Sequence, residues 1–174
     1  MKKYLYILPI ILLYMLLSGC SSHSLTYKFK SKAKHYGVNY RTLMAICKKE
    51  SQFKSNVINV NKSIFDIQKG PHYFDNWFTA NLYMDTVLDP LGLNYDIGIC
   101  QINSQHLDKF NIDNEDLLDD NINIEMAAKI YLYNVRQCKG RVKCALCMYN
   151  TGKKKSKIGL AYANHVLRIR KTIK

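Results

Sequence analysis

Beyond Glu125 the chain contains no acidic side chain, and over its full length 13 aspartates and glutamates stand against 26 lysines and arginines. The resulting net charge of +13 calls for an anionic partner or a solvated basic face. Lys153, Lys154, Lys155 and Lys157 form a dense run, although abundant Lys, Asn, Ile and Tyr also admit a purely compositional origin. No histidine lies close in sequence to Cys138, Cys144 and Cys147, and the one C-x-x-C, Cys144 to Cys147, lacks a second half, so no metal site is expected. No cofactor is expected either. Internal repeats are missing and strong strand signals are few. A single, mainly helical domain is the expectation, since 174 residues are too few for two ordinary ones.

Long apolar runs are also lacking. Tyr4 to Leu17 follows Lys2 and Lys3 and is short for a membrane span. It leads into Leu17-Ser18-Gly19-Cys20, which resembles a bacterial lipoprotein signal. Cleavage would remove residues before Cys20 and leave that cysteine as a lipidated N-terminus; an uncleaved membrane anchor is the alternative. Both readings export the chain, so nucleic acid is not expected as a partner. Residues 21–33 are expected to be a basic tether, with the folded domain from 34 to 174.

Export permits disulfides. Setting Cys20 aside, Cys47, Cys100, Cys138, Cys144 and Cys147 are an odd set, so at least one stays free or pairs outside the chain. Cys138 and Cys144 flank a Gly140 turn and form the favoured pair, with Cys147 as a substitute for Cys144 one helical turn later.

The most informative stretch is Asn39 to Phe53. Leu43, Ile46, Cys47 and Glu50 stand at helical offsets 0, 3, 4 and 7, sharing one face, with Asn39 as N-cap. Glu50 occupies a place where the stripe calls for an apolar residue. A carboxyl held there loses water and keeps its proton towards neutrality, as a general acid must. The alternative is a frayed helix end with Glu50 in solvent.

Ser55 to Ser63 reads as loop, and Ile64-Phe65-Asp66-Ile67 as the start of a strand broken by Gly70-Pro71. Tyr73 to Val87 is aromatic-rich with helical character, so 64–93 is expected to be a lid or a small packed unit. In Gly98-Ile99-Cys100-Gln101-Ile102-Asn103, Gly98 permits an unusual backbone angle, and Gln101 and Asn103 are polar among apolar neighbours and need partners. Asn103 also suits an N-cap before Ser104. Helices are expected from Asp119 to about Gln137, from Lys143 towards Gly152, and over 158–173.

Three blocks stand in order: Glu50-Ser51, Gly98 to Asn103, and Met148-Tyr149-Asn150-Thr151-Gly152. Together they resemble the soluble lytic transglycosylase family, with its E-S, G-L-M-Q and A-Y-N-x-G signatures. The stretch Asp96-Ile97-Gly98 to Asn103 is similar to that of small specialised members serving secretion, conjugation or pilus machines. The resemblance covers roughly 34–166, with 64–93 outside it, and Cys100 stands where methionine is usual. It implies a mainly α, α+β lysozyme-like fold with a glycan cleft and peptidoglycan as partner. It further implies location at the periplasmic face of a bacterial membrane, held through the N-terminal lipid.

The same resemblance implies a non-hydrolytic cleavage of the β-1,4 bond between N-acetylmuramic acid and N-acetylglucosamine, leaving a 1,6-anhydro end. Glu50 is then the sole acid/base, Ser51 orients it or bonds the N-acetyl group, Gln101 and Asn103 line sugar subsites, and Tyr149 with Asn150 closes the catalytic one. Two alternatives remain open on the residues. A muramidase would add a second carboxylate from Asp75, Asp85, Asp89 or Asp96, although Asp96 also suits a loop brace. A non-catalytic wall-binding lipoprotein would keep the cleft alone. A membrane-surface module acting through Lys153 to Lys157 is a third, weaker class.

Overall fold

A computed structural model describes residues 25–174. Cys20 and the stretch expected to be a lipoprotein signal lie outside the described residues. The chain does not wait until residue 34 to fold: residues 25–36 form helix α1, and Phe29 and Ala33 are buried in the core. The basic residues that suggested a tether are the outer face of that helix. Lys32 donates to the Glu125 carboxylate at 2.7 Å, and the Tyr36 hydroxyl donates to its other oxygen at 2.6 Å. Burial pushes the Glu125 carboxyl up, but Lys32, Tyr36 and Lys129 together hold it at about 2.

Helix α2, Tyr40–Ser51, begins as its sequence prescribes, with the Asn39 side chain accepting from the Thr42 amide at 3.1 Å. Leu43, Ile46 and Cys47 are fully buried, which puts the expected stripe against the core. The helix stops where Gln52 and Phe53 both take left-handed backbone angles, turning the chain just after Glu50.

The next segment is not loop. Val57–Val60 is strand β1, whose valines and Ile58 are buried while Asn59 faces outward. It pairs antiparallel with β2, Gly70–Tyr73, and β3, Tyr95–Ile97, and β3 pairs with β4, Ile102–Asn103, giving the order β2-β1-β3-β4. Three β-branched residues around one asparagine are too short a run to outweigh the surrounding asparagines by inspection. The expected strand at Ile64 reduces to one bridge between Ile64 and Ile67. Beyond β2 the insertion continues as α3, Trp77–Tyr83, and a π-helical turn, Met84–Leu88, burying Ala80, Met84 and Leu88 in the core. It is a packed part of the domain.

Short helical turns and α4, Leu107–Phe110, lead to three longer helices: α5, Asp120–Gln137, α6, Val142–Thr151, and α7, Lys157–Thr172. Asp119 caps α5 as expected, accepting from the amides of Asn121 and Ile122. Cys138 and Cys144 form a disulfide across the α5–α6 turn. A second disulfide, unanticipated, joins Cys47 of α2 to Cys100, and Cys147 is the buried free thiol.

The turn between β3 and β4 is seated on Asn123 of α5, which is fully buried. Its amide nitrogen donates to the carbonyls of Ile97 and Leu117 at 2.8 and 2.7 Å, and its oxygen accepts from the Cys100 amide at 2.9 Å. Gly98, at φ +75°, is needed because a Cβ there would strike the Asn123 amide and the Leu117 carbonyl. Asn123→Ala leaves three buried backbone groups without partners and should cost about 2–4 kcal/mol, read as a lowered denaturation midpoint.

Candidate active site

Glu50 sits in the last turn of α2, its carboxyl pointing where the sheet and the helices part. Two cavities meet there and share Glu50, Asp96 and Gln101. One, of about 240 Å³, is walled by Lys49, Lys54, Asn59, Pro71 and Tyr73. The other, of about 400 Å³, is walled by Asn103, His106, Ile130, Tyr149 and Asn150. A third, of about 380 Å³, adjoins the second through His106, Ile130, Tyr149 and Gly152. A groove of this extent, polar along its floor, suits an extended ligand such as a sugar chain.

Loss of water raises the Glu50 carboxyl to about 7, despite the Tyr162 hydroxyl and Lys49, which lower it; the charge of Asp96 adds a small upward push. The Tyr162 hydroxyl donates to Glu50 Oε1 at 2.5 Å. Position at the C-terminal end of α2 acts in the same direction as burial, because the helix dipole is negative there. The frayed alternative is thereby excluded: Glu50 lies at the edge of a groove, with its carboxyl pushed up to about 7 by loss of water.

The expected partners assemble around it, though not all as foreseen. Ser51 is buried and its hydroxyl donates to the Ile99 carbonyl at 2.7 Å. That bond ties the end of α2 to the Gly98 turn, so the serine's proton is not directed at Glu50. Gln101, at φ +52°, donates from Nε2 to the carbonyls of Gly98 and Val57, leaving Oε1 unengaged among the described residues. Asn103 lines the groove while both ends of its amide are occupied. It donates to Asp96 Oδ1 at 2.7 Å and accepts from the Gln105 amide at 3.1 Å, which also makes it the N-cap foreseen. Tyr149 donates to the Cys100 carbonyl at 3.1 Å, and burial with the charges of Glu50 and Asp96 pushes its hydroxyl well up. Asn150 is exposed on the groove wall.

Asp96 braces the floor, as one sequence reading held. Its carboxylate accepts from Asn103 on β4 and from Asn59 on β1 at 3.2 Å. Strand register explains this: Asn59, Asp96 and Asn103 are direct neighbours across β1, β3 and β4. Asp75, Asp85 and Asp89 line neither cavity next to Glu50.

The transglycosylase SLT domain family matches residues 28–168, most of the chain. The chain belongs to that family. The SLT domain accordingly has the mainly helical, lysozyme-like fold with a small sheet and acts as a lytic transglycosylase on peptidoglycan. No curated protein matches it.

Tyr162 escaped the sequence reading. It lies in α7, 112 residues from Glu50, and its sequence signal is only one more aromatic at a buried helical position. It is a positioning residue of the SLT domain: its hydrogen bond fixes one carboxyl oxygen and favours the charged form. Tyr162→Phe removes the largest influence that lowers Glu50. The carboxyl should then titrate above about 7, measurable by carbon NMR of the labelled glutamate side chain, with a matching upward move of the activity limb.

Proposed function

We propose that this protein cleaves the bond between N-acetylmuramic acid and N-acetylglucosamine without water, using Glu50 alone as acid and then base. The observation that carries this reading is a single carboxyl held protonated to about 7 where two glycan-sized cavities meet. Glu50 gives its proton to the glycosidic oxygen as the C1–O bond breaks. Its carboxylate then takes the proton of the muramoyl C6 hydroxyl, whose oxygen bonds to C1. The acid is restored and the sugar ends as a 1,6-anhydro ring. Gln101 Oε1, Asn150 and the Tyr149 oxygen are the groups free to hold sugars beside it.

A second reading has its own observation. Asp96 shares both cavities with Glu50, and two side-chain amides donate to its carboxylate and fix its orientation beside the acid. With Asp96 stabilising positive charge at C1 and water attacking, the enzyme would be a muramidase and leave reducing ends.

Mass spectrometry of digested, purified cell wall separates the two. Anhydro ends that persist in Asp96→Asn support the single-acid route, whereas reducing ends that vanish in that variant support the pair. Glu50→Gln should lower the rate by roughly 10²–10⁴-fold in either case; retention of wild-type activity would sink both. Because the first step requires the protonated acid, kcat/KM should be highest below about pH 7 and fall as pH rises through it.

The proposed setting is the periplasmic face of a bacterial membrane, anchored by lipid on Cys20. There the enzyme would open the wall locally for a secretion, conjugation or pilus machine. The two disulfides fit an oxidising compartment, and the leader resembles a lipoprotein signal.

A further inference from the structure

We propose that the inserted strand β2 builds a substrate subsite on one side of Glu50, in which Tyr73 and Pro71 receive a sugar face and Lys54 binds a carboxylate carried by that sugar unit. The inference rests on the glycan-cleaving reading above and extends it to what the insertion contributes.

The argument begins with strand alternation. Along β2, Pro71 and Tyr73 point to one face and are exposed, while Gly70 and His72 are partly buried on the other. His72 stacks on Tyr83 at 5.4 Å and Phe74 does so at 5.3 Å, which fastens the strand to α3 behind it. The exposed pair therefore stands on a fixed wall. Register then carries Pro71 into the groove floor: it is the direct neighbour of Asn59, which neighbours Asp96, which neighbours Asn103. Tyr73, opposite Val57, is one step further out and 60% exposed. An edge strand also tolerates Pro71, whose missing N–H is not needed by a further strand.

Lys54 reaches this wall from the turn that follows α2, with Nζ 4.1 Å from the centre of the Tyr73 ring. Among the described residues it has no carboxylate partner. A cation over one side of an aromatic ring, beside a proline, presents an apolar surface and a charge together. That combination matches a sugar whose C–H face stacks and whose substituent is anionic. In cell-wall glycan the muramoyl unit is such a sugar. Its acid belongs either to the lactyl ether or, where a stem peptide is attached, to that peptide.

Binding is best read by calorimetry on the Glu50→Gln protein, so that ligands stay intact. The probes are chitotetraose, a peptide-free wall tetrasaccharide with free lactyl carboxylates, and the peptide-bearing tetrasaccharide. Tyr73→Ala should weaken the wall ligands by roughly three- to tenfold. Lys54→Gln should weaken an acid-bearing ligand by about two- to fivefold and reduce its salt dependence, leaving chitotetraose unchanged. A loss confined to the peptide-bearing ligand assigns the acid to the stem peptide, a loss confined to the peptide-free ligand assigns it to the lactyl group, and a loss on both shows that Lys54 accepts either acid. Unchanged affinities in Tyr73→Ala, or a Lys54→Gln effect equal on all three ligands, would overturn the subsite while leaving the cleavage reading intact. Failure of the Glu50→Gln protein to bind any ligand, with no cleavage by the wild-type protein, would overturn both.

Discussion

The geometry of the groove depends on how the Gly98 turn is locked onto the end of α2. Three unlike bonds do this within a few residues. Asn123 clamps the turn's backbone from below, the Cys47–Cys100 disulfide joins it to α2 covalently, and Ser51 bonds the Ile99 carbonyl. Because Cys47 lies one turn before Glu50 and Cys100 immediately precedes Gln101, the acid and the amide beside it cannot move apart independently. Tyr149 adds a fourth tie from α6 through the Cys100 carbonyl. Glycine at 98 is the condition for the Asn123 clamp, since a side chain there would occupy its place.

A strongly basic protein places two carboxylates at the centre of its groove, and the contrast has electrostatic consequences. Lys49 and Lys54 border the cavity on the β2 side, and Lys109 and Lys129 border the third cavity. These cations draw an anionic polymer to both ends of the groove, and salt screens that attraction. At the centre, burial prevails over Lys49 and over the Tyr162 hydrogen bond, so the Glu50 carboxyl is pushed up to about 7. Asp96 has different surroundings: the side-chain amides of Asn59 and Asn103 on neighbouring strands donate to its oxygens. Environment assigns different work to two chemically similar groups.

Much of the helical frame was legible in advance, and the reasons are local. Asn39 and Asp119 are caps whose side chains bond amides two or three residues on, and the stripe of Leu43, Ile46 and Cys47 repeats at the helical period. Errors occurred where order comes from distant contacts. Residues 25–33 read as tether because their few apolar residues are interspersed with lysines, yet α1 is held by Glu125 and Asp120, about 90 residues away. Strand β1 read as loop because its pairing partners lie at 70–73 and 95–97. The short C138–C144 loop was visible in sequence, whereas the pairing of Cys47 with Cys100 spans 53 residues and was not.

The sequence by itself determined the family and the frame of longer helices and marked Glu50 as the candidate acid, because caps, periodicity and the Glu50-Ser51, Gly98–Asn103 and Tyr149–Gly152 motifs are written in consecutive residues. Tertiary structure alone decided the acid's environment. It brought Tyr162 to Glu50, turned Ser51 from the substrate to a backbone carbonyl, and aligned Pro71, Asn59, Asp96 and Asn103 along one floor. Proton affinity and groove shape depend on which groups share a small volume, and that sharing exists only once separated parts of the chain have packed.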